Sequence, residues 1–305
     1  MICTYRTARF AVLSTLALLL GLAILLTPRS ASAQEAFEPA RFSVEVTGEG
    51  PDAIFIPGLS TSREVWRDAV ADLEGYRVHL VQVRGFGEDA GMNAQGEVLV
   101  PLVAELARYI EAEQMEAPAI IGHSVGGLTA MTLAAKHPDL PGRVMIVDAL
   151  PWIAHIFVPP GTEPQMDAML ARGEMMRRMM AGGWTGQRGP GAPEQMLRTQ
   201  IADPASMPRL LEITDGVDTR VSGQLIYDAL TADMRENIAS ITAPVTVMVP
   251  VRPDFLPAAT VERFYRAQYA ALPDADFVTI AHAGHFVMLD QPDEFRDALA
   301  VFLAD

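Results

Sequence analysis

The sequence has very little cysteine, few aromatic residues and few basic residues. Its one cysteine is Cys3, which rules out an internal disulfide. Aromatic residues make up 7%, and 23 basic residues face 38 acidic ones, so the net charge is −15. Because acidic surfaces repel phosphate backbones, nucleic acid is not expected as a partner. Half of the 305 residues are hydrophobic, which excludes a disordered chain and provides a sizeable core.

The first residues follow the pattern of an export signal. Two arginines precede an uncharged, mostly apolar run over residues 10–26, and Ala31-Ser32-Ala33 follows it. A basic start, an apolar stretch and an A-x-A site predict a signal peptide over residues 1–33, cleaved before Gln34. The alternative is an uncleaved membrane anchor, since the apolar run is near the lower length limit for spanning a bilayer.

Cleavage would change the composition of the chain. Removing residues 1–33, which hold Cys3, three arginines and no acid, takes the net charge from −15 to −18. The mature chain would then have no cysteine nucleophile, no thiolate metal site and no stable membrane anchor. We expect it to be periplasmic or secreted, and scarce lysine beside abundant arginine and alanine suggests a bacterial source. Its oligomeric state is open.

From about residue 42 the chain alternates strand-like and helix-like stretches. This predicts an α/β fold, with a mostly parallel central sheet covered by helices on both faces. The predicted strands are residues 42–46, 53–56, 77–83, 119–121, 144–147, 245–249 and 277–280. The predicted helices are residues 100–113, 126–136, 260–271 and 293–303.

Residues 151–240 break this alternation, with helical pieces, many Gly and Pro residues and no clear strand. A stretch of this length between two strands is typical of an inserted helical unit rather than a loop. We therefore expect a core of residues 34–150 and 241–305, with a helical insertion over one edge of the sheet. Residues 151–240 are called the cap segment below.

The strongest chemical motif is Gly122-His123-Ser124-Val125-Gly126, which follows a predicted strand and opens a predicted helix. A nucleophilic serine in this context sits on a sharp turn with its hydroxyl clear of the backbone. Side chains at Gly122 or Gly126 would collide with the neighbouring strand and helix. The start of the helix also directs free N–H groups towards a developing oxyanion. Ser124 is the predicted nucleophile.

With this motif, residues 42–305 resemble the α/β-hydrolase superfamily, in the serine carboxylesterase and lipase-like branch that carries a helical cap. The resemblance implies the chain order nucleophile, acid, histidine. Ala283-Gly284-His285-Phe286 is similar to the Gly-His-Phe element after the last strand in that superfamily. It implies His285 as the general base, which takes the proton of the serine hydroxyl and returns it to the leaving group.

The resemblance places the acid after the strand that precedes the histidine strand, which implies Asp254. Here the element reads Pro250-Val251-Arg252-Pro253-Asp254 instead of the usual Gly-rich turn, and Arg252 could pair with Asp254. Asp148, at the end of the strand over residues 144–147, is the alternative acid. Either carboxylate would hold the imidazole tautomer and stabilise the imidazolium.

Two backbone N–H groups are needed for an oxyanion hole. The resemblance implies the N–H of Val125 and that of Leu59, in the loop Pro57-Gly58-Leu59-Ser60. Relatives usually have His-Gly where this chain has Pro57-Gly58, but only the backbone is required.

Methionines crowd the cap segment and suggest an adaptable apolar roof over an acyl or aromatic group. The substrate-pocket candidates are His155, Met176, Met180 and Trp184. His282 and His285 could suggest a metal pair, but no third ligand cluster accompanies them. No metal or cofactor is therefore implied.

These features predict an exported serine hydrolase that cleaves carboxylic esters of small to medium apolar substrates through an acyl-enzyme on Ser124. The same machinery could act on amide, lactone or C–C bonds. A non-catalytic binding protein on the same fold is the alternative of a different class, and the unusual Pro-Arg-Pro approach to Asp254 is its main support.

Overall fold

A computed structural model describes residues 37–159 and 161–304 of the chain. The predicted signal peptide and Cys3 lie outside the described residues. The described part is built around one seven-stranded sheet in the order β1-β3-β2-β4-β5-β6-β7. Only β1 is antiparallel to its neighbour, and all other neighbouring strands are parallel. The strands are β1 Phe42–Thr47, β2 Asp52–Ile56, β3 Arg77–Val83, β4 Ala119–His123, β5 Arg143–Val147, β6 Val245–Val251 and β7 Asp276–Ala281.

Nine α-helices connect and cover these strands within the described residues. They are α1 Leu99–Ala112, α2 Val125–Lys136, α3 Met166–Gly182, α4 Glu194–Leu197, α5 Met207–Ile213, α6 Thr219–Thr231, α7 Ala258–Gln268, α8 Val287–Asp290 and α9 Pro292–Ala304. Each predicted strand and helix has an observed counterpart, so the predicted α/β architecture is confirmed.

The sheet is buried on both faces because its strands alternate two sets of apolar residues. In β5, Val144 and Ile146 pack into one apolar cluster, and Met145 and Val147 pack into another on the opposite face. The first cluster includes the buried side of α1, and the second includes that of α9. Parallel strands covered on both faces expose their loops at one edge, where ligands bind in folds of this kind.

The cap segment contributes helices α3 to α6 and no strand among its described residues. Helices α3 and α6 pack closely at Gly223 of α6. A Cβ atom there would lie 2.9 Å from the carbonyl oxygen of Arg177 in α3, so glycine permits this approach. The predicted division into core and cap stays a prediction, since the described residues form one compact unit.

Candidate active site

Ser124 lies on the turn between β4 and α2, with φ 55° and ψ −122°. A positive φ is unfavourable for a non-glycine residue and persists only where the surroundings hold it. Part of that support is the Ser124 N–H, which donates to the carbonyl oxygen of Val147 at 2.9 Å. The residue is half-buried, so this turn does not enclose it fully.

Glycines make this turn sterically possible, as the sequence predicts. A Cβ atom on Gly122 would lie 2.3 Å from the carbonyl oxygen of Gly126. A Cβ atom on Gly126 would lie 2.2 Å from the carbonyl oxygen of Ile56, at the end of β2. Both contacts are with backbone atoms, so neither can be relieved by a side-chain rotation.

His285 follows β7 and is paired with a largely buried carboxylate. Its Nδ1 lies 2.6 Å from Oδ2 of Asp148, a charge-assisted length. Asp148 comes directly after β5 with φ 45°, and its N–H donates to the carbonyl oxygen of Met248 in β6. The hydrogen bond leaves Nε2 of His285 free to exchange a proton with a substrate-facing group.

The preferred assignment of Asp254 as the partner of His285 is therefore wrong, and the alternative, Asp148, occupies that position. Asp254 lies exposed in a turn after β6, where the N–H of Phe255 donates to the carbonyl oxygen of Arg252. Arg252 stacks over the Phe255 ring at 4.1 Å. The Pro-Arg-Pro segment thus forms a surface turn, whereas Asp148 ends the strand beside β4, which carries Ser124.

Tyr265 of α7 is a further residue of the site that the sequence did not indicate. Its hydroxyl donates to Oδ1 of Asp148, so both carboxylate oxygens have a donor. Burial raises the pKa of Asp148, but the His285 ring and the hydrogen bonds from His285 and Tyr265 outweigh it, so that pKa lies below its ordinary value. Asp148 is thus an anion at neutral pH.

His123 packs between the turn that holds Ser124 and the loop after β7 that carries His285, called the histidine loop below. Its ring centroid lies 4.5 Å from that of His285, and its Nε2 donates to the His285 carbonyl oxygen at 2.9 Å. Burial and the neighbouring His285 ring lower the pKa of His123 to about 3. His123 is thus neutral, and its hydrogen bond joins the turn at Ser124 to the backbone of His285.

Asp290, in α8, is a second residue that the sequence did not indicate. Its buried carboxylate accepts the N–H of Gly284, next to His285, at 2.8 Å. It also accepts the N–H groups of Ala202 and Asp203 and the hydroxyl of Ser206, all in the cap segment. Four donors on one carboxylate fix the histidine loop against the cap segment.

The loop proposed for the oxyanion hole passes beside Ser124. A Cβ atom on Gly58 would lie 3.1 Å from Cβ of Ser124, so glycine permits this close approach. Val125 is the first residue of α2. Among residues 37–159 and 161–304, no acceptor takes the N–H of Leu59 or that of Val125. Both N–H groups are thus available to a ligand.

The structure separates the four predicted pocket residues. Met176 and Met180 pack, as does Leu59, against one apolar cluster. The members of that cluster are Trp152, Ala154, Met169, Ile226 and Leu230. His155 instead lies among charged groups, with Nε2 3.3 Å from Nη1 of Arg235.

The sequence predicts Trp184 in the substrate pocket, but the structure places it at a cavity that is not lined by the candidate catalytic residues. It stacks on Arg220 at 4.4 Å and lines an open cavity of about 610 Å³. Neither Ser124 nor His285 lines that cavity. The cation–π contact with Arg220, together with the bidentate Arg220–Asp218 ion pair, holds the indole at this place.

The described part of the chain contains neither a membrane-spanning helix nor a metal-binding group of side chains. None of its helices is both long and apolar enough to cross a membrane. The same residues contain no group of three or more His, Cys, Asp or Glu side chains arranged to hold a metal ion.

The sequence is similar to that of known proteins. The alpha/beta hydrolase family matches residues 53–298. Pimeloyl-[acyl-carrier protein] methyl ester esterase of Aeromonas hydrophila is 27% identical over 273 residues, covering 86% of this chain and 98% of that protein.

Solved structures share the fold. A carboxylesterase structure from the thaumarchaeon Nitrososphaera gargenis has a TM-score of 0.67 at 17% identity, covering 86% of this chain and 94% of that one. An esterase from Exiguobacterium antarcticum has a TM-score of 0.66 at 17% identity, covering 87% and 96%.

Proposed function

We propose that this chain, which belongs to the alpha/beta hydrolase family and is an ester hydrolase, cleaves carboxylic esters of small to medium apolar substrates through an acyl-enzyme on Ser124. One observation carries the proposal. His285 and the largely buried carboxylate of Asp148 form a 2.6 Å pair beside the strained turn that holds Ser124. A nucleophile, a base and an oriented carboxylate are the parts that acyl transfer needs.

In the proposed mechanism His285 moves the proton. Asp148 accepts the Nδ1–H, so Nε2 carries the lone pair that takes the proton from the Ser124 hydroxyl as its oxygen attacks the ester carbonyl. The imidazolium then protonates the departing alcohol when the C–O bond breaks. Water repeats the sequence on the acyl-enzyme and releases the carboxylic acid and Ser124.

The developing oxyanion would be held by the N–H groups of Leu59 and Val125. Val125 follows Ser124 at the start of α2, and Leu59 follows Gly58, which approaches Ser124 from the loop after β2. Their hydrogen bonds would strengthen as negative charge grows on the carbonyl oxygen. The N-terminal end of α2 adds a favourable dipole.

Apolar side chains support an uncharged acyl group as substrate. Met176 and Met180 pack against the same apolar cluster as Leu59. The nearby cations Arg177 and Arg178 both form ion pairs with Glu174 on the same helix. The methyl ester named for the Aeromonas relative supports a small alcohol as the leaving group.

A panel of p-nitrophenyl esters of increasing acyl length tests the proposed function. We expect the wild-type protein to turn over these esters, fastest with short to medium acyl chains. Ser124→Ala should keep the wild-type thermal stability and show no turnover above background. Turnover that survives Ser124→Ala, or a folded protein without any ester turnover, would contradict the proposal.

Hydrolysis of amide, lactone or C–C bonds would use the same nucleophile, base and carboxylate. Measuring kcat/KM for substrates of each kind shows which bond the protein cleaves best. The binding-protein alternative rested on the unusual approach to Asp254. Because Asp148 supplies the carboxylate, that approach has no bearing on His285.

We also propose that the chain is exported, on the basis of the basic, apolar and A-x-A segments within residues 1–33. Expression of the full chain in a bacterium and N-terminal sequencing of the product tests this. A periplasmic or extracellular product that begins at Gln34 is expected, and an uncleaved chain in the cytoplasm or membrane would contradict it.

A further inference from the structure

The loop that carries Leu59 is tied to the cap segment by a buried pair of hydroxyl groups. Ser60, which follows Leu59, is 7% exposed, and Ser222 in α6 is fully buried. Their Oγ atoms lie 2.7 Å apart. Within the described residues this is the only side-chain hydrogen bond of either hydroxyl. Since an unpaired buried hydroxyl is unfavourable, each serine depends on the other.

Other contacts hold the same loop from the same side. The N–H of Ser62 donates to the carbonyl oxygen of Ile213 in α5 at 2.8 Å. A Cβ atom on Gly191 would lie 2.8 Å from Cβ of Ser60, so the cap segment passes directly over the loop. On its other side the loop approaches Ser124 at Gly58, which leaves it between the cap segment and the nucleophile turn.

The backbone of this loop needs such external support. Ser60 has φ 55°, a left-handed conformation that a non-glycine residue does not prefer. A backbone in an unfavoured region relaxes unless neighbouring groups fix it. Relaxation at Ser60 would move the adjacent Leu59 peptide, and with it the N–H proposed for the oxyanion hole.

We infer that Ser60 and Ser222 are positioning residues, and that through their hydrogen bond the cap segment holds the Leu59 N–H at the oxyanion site. The inference rests on the proposed function. It adds that the oxyanion hole is complete only while α6 is docked on the loop. Because the oxyanion forms in the transition state, loss of the hydrogen bond lowers kcat and leaves KM nearly unchanged.

A double-mutant cycle on one p-nitrophenyl ester tests this role. We expect Ser60→Ala and Ser222→Ala each to lower kcat about 10-fold, less than the loss of a whole oxyanion donor. Since both remove the same bond, the double variant should lose no more than either single variant. Affinity for a boronic acid that forms a tetrahedral adduct on Ser124 should weaken by the same factor. Thr231→Ala, which removes a hydroxyl bonded to a carbonyl within α6, is the control and should keep the wild-type kcat.

In an active enzyme, any of three results would overturn the inference. The double variant could lose the product of the two single losses in kcat. The single variants could instead show a raised KM at constant kcat, or an unchanged affinity for the boronic acid. If an alanine variant fails to fold, Ser60→Gly keeps the left-handed backbone without the hydroxyl, and a wild-type kcat for it would also overturn the inference. Absence of ester turnover and of boronic acid binding in the wild-type protein would instead mean that the proposed function itself has failed.

Discussion

At the scale of single residues, the partner of His285 determines how the site works. Asp148 is largely buried, receives hydrogen bonds on both oxygens and has a lowered pKa, so it presents a fixed negative charge to the imidazole. Such a carboxylate selects the tautomer with a proton on Nδ1 and stabilises the imidazolium.

Replacement of this carboxylate by an amide gives the first prediction. Asp148→Asn should lower kcat on the order of 10⁴-fold, because the amide favours the wrong tautomer of His285. Asp254→Asn is the matched control and should leave kcat little changed, since Asp254 lies in an exposed turn. Steady-state kinetics with one ester and thermal denaturation of both variants check this, and the reverse ranking would return the acid to Asp254.

The hydroxyl of Tyr265 gives the second prediction. Tyr265→Phe removes a hydrogen bond that lowers the pKa of Asp148, so that pKa rises. With one donor fewer, Asp148 attracts the Nδ1–H of His285 more strongly and stabilises the imidazolium more, so the loss of kcat/KM on acidification should begin at a higher pH than in the wild type. Tyr269→Phe, which loses only a hydrogen bond to the Ala149 carbonyl oxygen, should keep the wild-type profile. Coincident profiles for Tyr265→Phe and the wild type would refute the assigned role.

At the scale of secondary-structure elements, the contact between β2 and α2 fixes the nucleophile turn. Gly126→Ala would put a methyl group 2.2 Å from the Ile56 carbonyl oxygen. We expect the free energy of unfolding to fall by about 1–3 kcal/mol or more, because both parts of the clash are backbone-fixed. Gly182→Ala in α3, where a Cβ atom meets open space, should be neutral or stabilising by up to about 1 kcal/mol. Urea denaturation compares them, and equal stabilities would contradict this packing.

The sequence predicted these elements well because their patterns are local. Apolar runs and helical periodicity locate all seven strands and the helices around them, and glycines at fixed spacing locate the turn at Ser124. The acid was misassigned because its position depends on the φ of Asp148 and on the path of the chain after β6. Neither is set by a local motif.

Contacts between distant parts of the chain were not predictable for a similar reason. Tyr265 lies 117 residues from Asp148, and Asp290 collects donors from the cap segment more than 80 residues away. Such pairs arise from packing in three dimensions. Nothing in the sequence around Tyr265 or Asp290 indicates which residues they contact.

At the scale of the whole molecule, His123 couples stability to pH. Its pKa is lowered to about 3 by burial, whereas an unfolded histidine titrates near 6.5. Between these values the unfolded chain binds a proton that the folded chain does not, so stability is fully present above about pH 6.5 and falls as the pH drops. This residue alone should lower the free energy of unfolding by about 1.4 kcal/mol per pH unit over most of that range.

Chemical denaturation between pH 4 and 8 measures this dependence. His123→Phe should flatten the slope by about that amount relative to the wild type, whatever its stability at pH 8. His79, whose pKa burial also lowers, contributes to both proteins and cancels in the comparison. Parallel curves would show that His123 is not the buried neutral imidazole described here.

Labelling of residues 34–305 with a fluorophosphonate, followed by peptide mass spectrometry, tests the central claim most directly. Such reagents react preferentially with a serine activated by a neighbouring base. We predict one label per chain, on Ser124, with labelling slowed strongly by Asp148→Asn and little by Asp254→Asn. A folded protein that takes no label, or takes it on another residue, would contradict the assignment of Ser124 as nucleophile.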